Sequence, residues 1–292
     1  MDDGRLPRIE IHRHEAEDAT WEAVLGTPDP RLRRCVAGAY HGWTERTSAI
    51  MRRREVAKII VPVIINFGPR FGVLSLGNPT RTMERFDTFV AGLHDCAAIP
   101  EADLTSHCVQ VNVTPLGAYR LLGIPMAAIA NRVVEIEDIL GTEIRRLRDR
   151  LYDARSWDRR FALLDAFLVD RLAASPAADP RVLVAMRRLD RSGGSASIGS
   201  VAGEVDLSRA RLIGLFNEQI GLGPKTVARL IRFDRVIQRR ETGAGTALAE
   251  LALDAGYYDQ PHFNREFRQF AGVAPTDFVD ARLPDGGGIH EA

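Results

Sequence analysis

Three polar residues near the C-terminus have the chemistry and the spacing to read base edges. Gln260, His262 and Arg265 fall on one face near the start of a helix predicted over 260–270. Glutamine can bond N6 and N7 of adenine, and arginine can bond O6 and N7 of guanine, in the major groove. Arg268 lies further along and can reach a phosphate. The pattern favours a helix that enters the major groove of DNA over a merely solvated helix start.

This helix belongs to the second of two similar segments, 198–216 and 247–267. Their apolar and small residues coincide when four pairs are aligned: Ala202 with Ala252, Asp206 with Gly256, Leu212 with Phe263, and Phe216 with Phe267. Each segment predicts a helix, a tight turn at a residue that tolerates positive φ, and a second helix. Ser208 and Asp259 have the side chains of N-caps for the second helices. The repeat favours a tandem helix-turn-helix over an ordinary helical bundle.

The corresponding helix of the first segment, predicted over 208–219, offers weaker contacts to DNA. Arg209 and Arg211 can reach phosphates or base edges, and Ile213 can contact thymine methyl groups. Gly214 has no side chain to contact a base and lowers the stability of the helix. We therefore expect the first half of the DNA site to be read loosely.

A helix predicted over 224–241 joins the two segments. At about 1.5 Å per residue it is about 27 Å long, which suits helices entering major grooves about 34 Å apart. Lys225 near its start can approach a phosphate, as can the backbone amides there. Five arginines form a basic stripe along it, and we favour a solvated or salt-bridged face for them: Arg229, Arg232, Arg235, Arg239 and Arg240.

Residues 181–283 resemble the C-terminal domain of the AraC/XylS family of bacterial transcription regulators. The resemblance rests on the segments LFNEQIGLGPK (215–225) and AGYYDQPHFNREFRQFAGVAPTDF (255–278) and on the helix between them. It implies double-stranded promoter DNA and RNA polymerase as partners. It places Gln260, His262 and Arg265 against bases and puts Ala210 at another base-facing position. The candidate DNA-binding residues are Ser208, Arg209, Ala210, Arg211, Ile213, Lys225, Asp259, Gln260, His262, Arg265 and Arg268.

The rest of the chain changes its hydrophobic pattern twice. Residues 1–112 are strand-like, with β-branched or alternating runs at 59–67, 71–76 and 109–113. Residues 113–174 have helical spacing and predict helices over 134–152 and 157–173. Residues 175–180 contain two prolines among small residues and predict a linker. The Gly-rich residues 284–292 predict a flexible tail.

These patterns predict an α+β protein: a β-rich N-terminal domain with a helical extension, followed by an all-α tandem helix-turn-helix domain. The family resemblance implies that the β-rich domain is cupin-like and senses a small-molecule effector. The alternative is a domain that only dimerises or meets a protein partner. The helices at 134–152 and 157–173 either form the interface of a homodimer or pack on their own sheet, and the sequence leaves both interpretations open.

A cupin-type small-molecule or metal-binding enzyme with an accessory DNA-binding domain is the alternative function. Two groups carry metal-ligating residue types: His12, His14 and Glu17, and His94, Cys96, His107 and Cys108. The first group precedes every strand run, and the second lacks the spacing of a zinc site. No Ser/His/Asp or Cys/His pair stands out. We therefore expect a protein that is not an enzyme, without catalytic residues, metal or cofactor.

The composition restricts the class of protein. The 292 residues are 45% apolar and 27% charged, which is typical of a globular chain. The 39 basic residues balance 39 acidic ones, so DNA binding requires local placement of charge. Three cysteines without C-x-x-C spacing argue against a disulfide framework. With no secretory signal and no apolar run long enough to span a bilayer, we expect a cytoplasmic protein without a membrane partner.

Overall fold

A computed structural model describes residues 9–16, 19–75, 77, 82–242, 252–253, 255–280 and 289–290. The strands are β1 (Ile9–Glu15), β2 (Ala19–Gly26), β3 (Val36–Thr47), β4 (Met51–Arg54), β5 (Val61–Asn66), β6 (Phe71–Ser75), β7 (Glu84–Phe86), β8 (Phe89–Ala91), β9 (Ala98–Ala102), β10 (Thr105–Val113), β11 (Val133–Glu135) and β12 (Ile289–His290). The helices are α1 (Pro115–Leu122), α2 (Glu137–Leu140), α3 (Thr142–Asp153), α4 (Trp157–Ala174), α5 (Pro180–Arg191), α6 (Ile198–Glu204), α7 (Arg209–Gln219), α8 (Pro224–Thr242), α9 (Gln260–Ala271) and α10 (Pro275–Asp280).

The strands form two antiparallel sheets. The larger sheet has the order β1-β2-β3-β10-β5-β8-β11, and the smaller sheet has the order β12-β4-β9-β6-β7. In strand β10, Val109 pairs with Gly42 of β3 and with Ile65 of β5. Successive side chains of a strand point to opposite faces. Val109 therefore joins the core shared with the helices, while Cys108 joins a smaller core between the sheets.

Helices α3 and α4 cover one face of the larger sheet. Leu147 of α3 and Leu164 of α4 pack with Val111 of β10 around a closely filled interior. The Tyr40 hydroxyl of β3 donates a hydrogen bond to Asp165 of α4 over 2.7 Å, which fixes this helix on the sheet. Both helices therefore bury their apolar faces within their own domain. This favours packing on their own sheet over a role as the interface of a dimer.

The predicted α+β class is confirmed, with a β-rich N-terminal domain and a helical C-terminal region that contains the helix-turn-helix units. Strands β5 and β6 fall within the runs expected at 59–67 and 71–76, and the run at 109–113 forms the end of β10. The single helix expected over 134–152 is wrong. Val133–Glu135 pair with β8 as a strand, and Gly141 separates α2 from α3. Its φ of 57° cannot continue a right-handed helix.

The helices expected over 208–219, 224–241 and 260–270 each begin and end within one residue of the expected positions. The first helix of the second segment, 247–267, lies outside the described residues, except for Ala252 and Leu253. Most of the predicted flexible tail, 284–292, also lies outside them. Within it, Ile289–His290 pair with β4 as a strand, so the prediction is wrong for these two residues. Within the described part of the chain, no helix is both long and apolar enough to cross a membrane.

The helical C-terminal region is docked on the β-rich domain at both ends. The backbone N–H of Ala57 donates to the carbonyl of Phe270 over 2.8 Å, and Nη1 of Arg54 donates to the carbonyl of Gly272 over 2.7 Å. At the other end, α7 packs against a short 3-10 helix at Met126–Ala128. The first and second helix-turn-helix units therefore each contact the N-terminal domain.

Candidate nucleic-acid interface

The two helix-turn-helix units close their turns with the same hydrogen bond. The N–H of Leu207 donates to the carbonyl of Ala202 over 3.0 Å, and the N–H of Tyr257 donates to the carbonyl of Ala252 over 3.1 Å. The residue before each donor has positive φ: 51° at Asp206 and 85° at Gly256. The alignment of the two segments is therefore confirmed at their turns.

The helices that follow the turns start at the expected caps. The Ser208 hydroxyl accepts a hydrogen bond from the N–H of Arg211 over 3.2 Å, and the Asp259 carboxylate accepts one from the N–H of His262 over 2.7 Å. Between turn and cap, the second unit has one additional residue, Tyr258, whose side chain is 90% exposed. Both caps satisfy backbone donors that would otherwise lack partners at a helix start.

Helix α7 exposes the candidate contacts of the first unit. Arg209, Ala210 and Arg211 are exposed at its start, and Ile213 is 43% exposed further along. The guanidinium of Arg209 lies over Gly199 of α6, where a Cβ would be 2.5 Å from its Nη2 atom. The apolar face of α7 is buried, so its exposed face offers two arginines and one isoleucine.

Helix α9 exposes most, but not all, of the candidate contacts of the second unit. Gln260, Arg265 and Arg268 are exposed. His262 is half-buried, with Nε2 3.2 Å from Oε1 of Glu266 and its ring edge-on to Tyr257 at 5.5 Å. Its imidazole is therefore turned toward the inside of the unit, while the other three side chains face solvent.

Glu266 is a buried carboxylate that the motifs in the sequence did not predict as part of the site. Its side chain is 5% exposed, and its Oε1 accepts a hydrogen bond from Nε of Arg229 on α8 over 2.5 Å. Arg229 also donates to Gln269 over 2.6 Å. Burial, and then the charge of Glu266, raises the pKa of Tyr257 beside it. A glutamate between Phe263 and Phe267 on an apolar helix face is the signal that could have identified this site.

The basic stripe of α8 serves mainly to hold the domain together. Besides Arg229, Arg232 lies 3.9 Å from Glu266 and stacks over the Tyr257 ring at 5.6 Å. Arg235 donates to the backbone carbonyl of Asp190 on α5. The salt-bridged interpretation of the stripe is confirmed for Arg229 and Arg232. Lys225, at the start of the helix, is exposed.

The two candidate metal groups are not brought together among the described residues. His107 and Cys108 are consecutive on β10 and point to opposite faces of the sheet. His94 Nδ1 lies 2.5 Å from the carbonyl of Gly92, and Cys96 lies 3.8 Å from the Ser75 hydroxyl. In the first group, His14 stacks on Trp21, and Glu17 lies outside the described residues.

Comparison with known proteins gives a family match in the C-terminal region. Residues 201–281 match the family model of a helix-turn-helix domain. A comparison with the sequences of characterised proteins gives no match.

Among solved structures, the chain is similar to ToxT from Vibrio cholerae O395, with 11% identity and a TM-score of 0.45 over 80% of this chain and 96% of that one. A 1.65 Å structure of ToxT from Vibrio cholerae is 10% identical, with a TM-score of 0.47 over 82% and 97% of the two chains. The unsaturated fatty acid-bound wild-type ToxT from Vibrio cholerae strain SCE256 is 10% identical, with a TM-score of 0.45 over 79% and 94%.

Proposed function

Residues 201–281 are an AraC-type helix-turn-helix domain, and we propose that the chain uses it to regulate transcription by reading two short boxes of promoter DNA. The observation that carries the proposal is the pair of matching turns, closed at Leu207 and Tyr257 by the same hydrogen bond. Helix α8 joins the two units and has 19 residues. At about 1.5 Å per residue it is about 28 Å long, compatible with successive major grooves about 34 Å apart.

Helix α9 is the principal reader in this proposal. Gln260 bonds adenine and Arg265 bonds guanine in the major groove, because each presents two hydrogen-bonding atoms to a base edge. Arg268 neutralises a phosphate. His262 contributes through its position beside Glu266, and Asp259 contributes as the cap that fixes the start of the helix.

Helix α7 reads the other box less strictly. Arg209 and Arg211 bind phosphates or base edges, and Ile213 packs on thymine methyl groups. Ala210 lies against the bases without a hydrogen bond, and Ser208 caps the helix. Lys225 adds a phosphate contact at the start of α8. Because phosphate contacts carry no sequence information directly, α7 adds more affinity than specificity.

The N-terminal domain modulates this binding in the proposal. Its hydrogen bonds to Phe270 and Gly272 contact the C-terminal end of α9, one of the two helices that enter DNA in this proposal. A small-molecule effector, or dimerisation, changes DNA binding through these contacts between the two domains. RNA polymerase is the further partner through which promoter binding becomes regulation.

The test is binding of the full-length protein to the DNA upstream of its own gene, followed by fluorescence anisotropy. We expect binding that resists random competitor DNA and weakens linearly in log affinity against log salt. Gln260→Ala and Arg265→Ala should each cost about 1–3 kcal/mol at one base pair and relax the preference there. Arg187→Ala, which replaces an exposed arginine on α5, is the matched control. Unchanged base preference in both reader variants would contradict the assignment of α9.

A further inference from the structure

A groove of about 640 Å³ opens over strands β1, β2, β3 and β10 of the larger sheet, in the N-terminal domain. Two rows of polar side chains cross strands β1, β2, β3 and β10 at this place. The first row is Arg13, Glu22, Thr44 and His107, and the second is Glu15, Thr20, Arg46 and Thr105. Each row contains one glutamate and one arginine. The groove lies on a different domain from the DNA-reading helices.

The charges of the first row are already paired. Arg13 Nε donates to Oε2 of Glu22 over 2.7 Å, and Nε1 of Trp157 on α4 donates to Oε1 of Glu22 over 2.8 Å. Burial alone would raise the pKa of Glu22, but the hydrogen bonds from Trp157 and Arg13 outweigh it and lower that pKa. Both carboxylate oxygens therefore have donors, and this row forms a fixed wall of the groove.

The charges of the second row are not paired. Among the described residues, Glu15 and Arg46 have neither an ion pair nor a side-chain hydrogen bond. Thr20 lies between them in the register, opposite Glu15 on one side and Arg46 on the other. Two strand spacings separate the Glu15 and Arg46 backbones by about 10 Å. The row thus presents separate negative and positive groups with a hydroxyl between them.

An aromatic wall borders the His107 end of the groove. The His107 ring is edge-on to Phe67 at 5.0 Å and to Trp157 at 5.9 Å. Arg160 stacks over the Trp157 ring at 4.6 Å. Burial, and then the charge of Arg160, lowers the pKa of His107, so the imidazole in this wall is uncharged near neutral pH. Such a wall suits the apolar part of a small ligand.

We infer that this groove binds a free α-amino acid with an apolar side chain. Glu15 receives its ammonium group, Arg46 receives its carboxylate, and its side chain lies toward His107 and Phe67. A zwitterion satisfies both unpaired charges at once, whereas a simple acid or amine leaves one without a partner. As the identity of an effector, this assignment rests on the proposed function, but binding itself is measured without DNA.

The test is isothermal titration calorimetry of the full-length protein with L-phenylalanine and L-leucine. We expect at least one of them to bind. Phenylacetate and 2-phenylethylamine each keep the aromatic ring and one of the two charges. Each should bind about tenfold more weakly than L-phenylalanine, because each leaves either Glu15 or Arg46 without a partner in the complex. No binding of either amino acid, or equal binding of phenylacetate, would overturn the inference.

Variants connect binding to the two charged groups. Glu15→Gln and Arg46→Gln remove one charge each from exposed positions, and each should weaken amino-acid binding about tenfold. Arg33→Gln, at an exposed arginine outside the groove, is the matched control and should bind normally. Unchanged affinity in both groove variants would contradict the site. DNA anisotropy on the same samples distinguishes the two proposals: DNA binding with no amino-acid binding overturns only this inference, and the reverse overturns only the proposed function.

Discussion

Nε of Arg229 on α8 donates to Oε1 of Glu266 on α9 over 2.5 Å, and this ion pair joins the connecting helix to the helix that carries Gln260 and Arg265. Oε1 of Glu266 also lies 3.2 Å from His262 Nε2, at the start of α9. The orientation of α9 is therefore fixed from its buried side by a charged group as well as by apolar packing.

The first prediction concerns this ion pair. Arg229→Met should lower the free energy of unfolding by about 3 kcal/mol, because Glu266 then stays buried without its closest cation. The double variant Arg229→Met with Glu266→Leu should regain part of that loss, since the buried carboxylate is removed and only the more distant Arg232 then loses its ion pair. Urea unfolding followed by circular dichroism measures both changes. An equal loss in the single and double variants would show that packing, not charge, makes the arginine important.

The second prediction compares the two turns. Gly256 has a φ of 85°, and no atom lies within 4 Å of where its Cβ would be, so Gly256→Ala tests backbone conformation alone. It should destabilise the protein by about 1–2 kcal/mol. Asp206 has a φ of 51° in the equivalent turn, so Asp206→Gly should be neutral or stabilise by up to about 1 kcal/mol. Thermal unfolding of both variants checks the opposite signs, and a destabilised Asp206→Gly would show that this aspartate has a further role.

The third prediction concerns Gly214, which is exposed in the middle of α7 and has open space within 4 Å of the point that a Cβ would occupy. Gly214→Ala should stabilise the helix by about 1 kcal/mol without weakening DNA binding. Gly214→Arg should in addition tighten DNA binding and steepen its salt dependence, because it adds one cation to the face that approaches phosphates. Anisotropy titrations at several salt concentrations measure this. Identical salt slopes for the two variants would place Gly214 away from DNA.

The C-terminal region could be predicted closely from sequence because its signals are local. Caps such as Ser208 and Asp259 act within three residues, and the turn residues Asp206 and Gly256 act through their own φ. Helical spacing then fixes which residues of α7 and α9 are buried. The ion pair of Arg229 with Glu266 could not be predicted in the same way, because its partners are 37 residues apart and meet only after the helices pack.

The N-terminal domain could be predicted less closely, because its structure depends on contacts between residues far apart in the sequence. Runs such as 59–67 are identifiable as strands, but the strand order depends on pairings between distant residues. The helix expected over 134–152 is wrong because the apolar spacing continues past Gly141, although the positive φ of Gly141 interrupts the helix. The groove is also invisible in sequence, since Glu15, Arg46 and His107 come from strands far apart in the chain.

The last prediction concerns pH and His94. Its Nδ1 lies 2.5 Å from the carbonyl of Gly92, which requires a proton on Nδ1, and its buried Nε2 has no partner among the described residues. Burial lowers the pKa of His94, although the Gly92 carbonyl and Asp95 oppose this. The unfolded chain, with a histidine pKa of about 6.5, therefore binds the proton more readily. The stability due to neutral His94 is present above that pH and is lost as the pH falls below it.

Urea unfolding at about pH 7, 6 and 5 should show a smaller loss of stability on acidification in His94→Gln than in the parent. Parallel curves for the two proteins would mean that His94 does not contribute to the acid sensitivity of the fold.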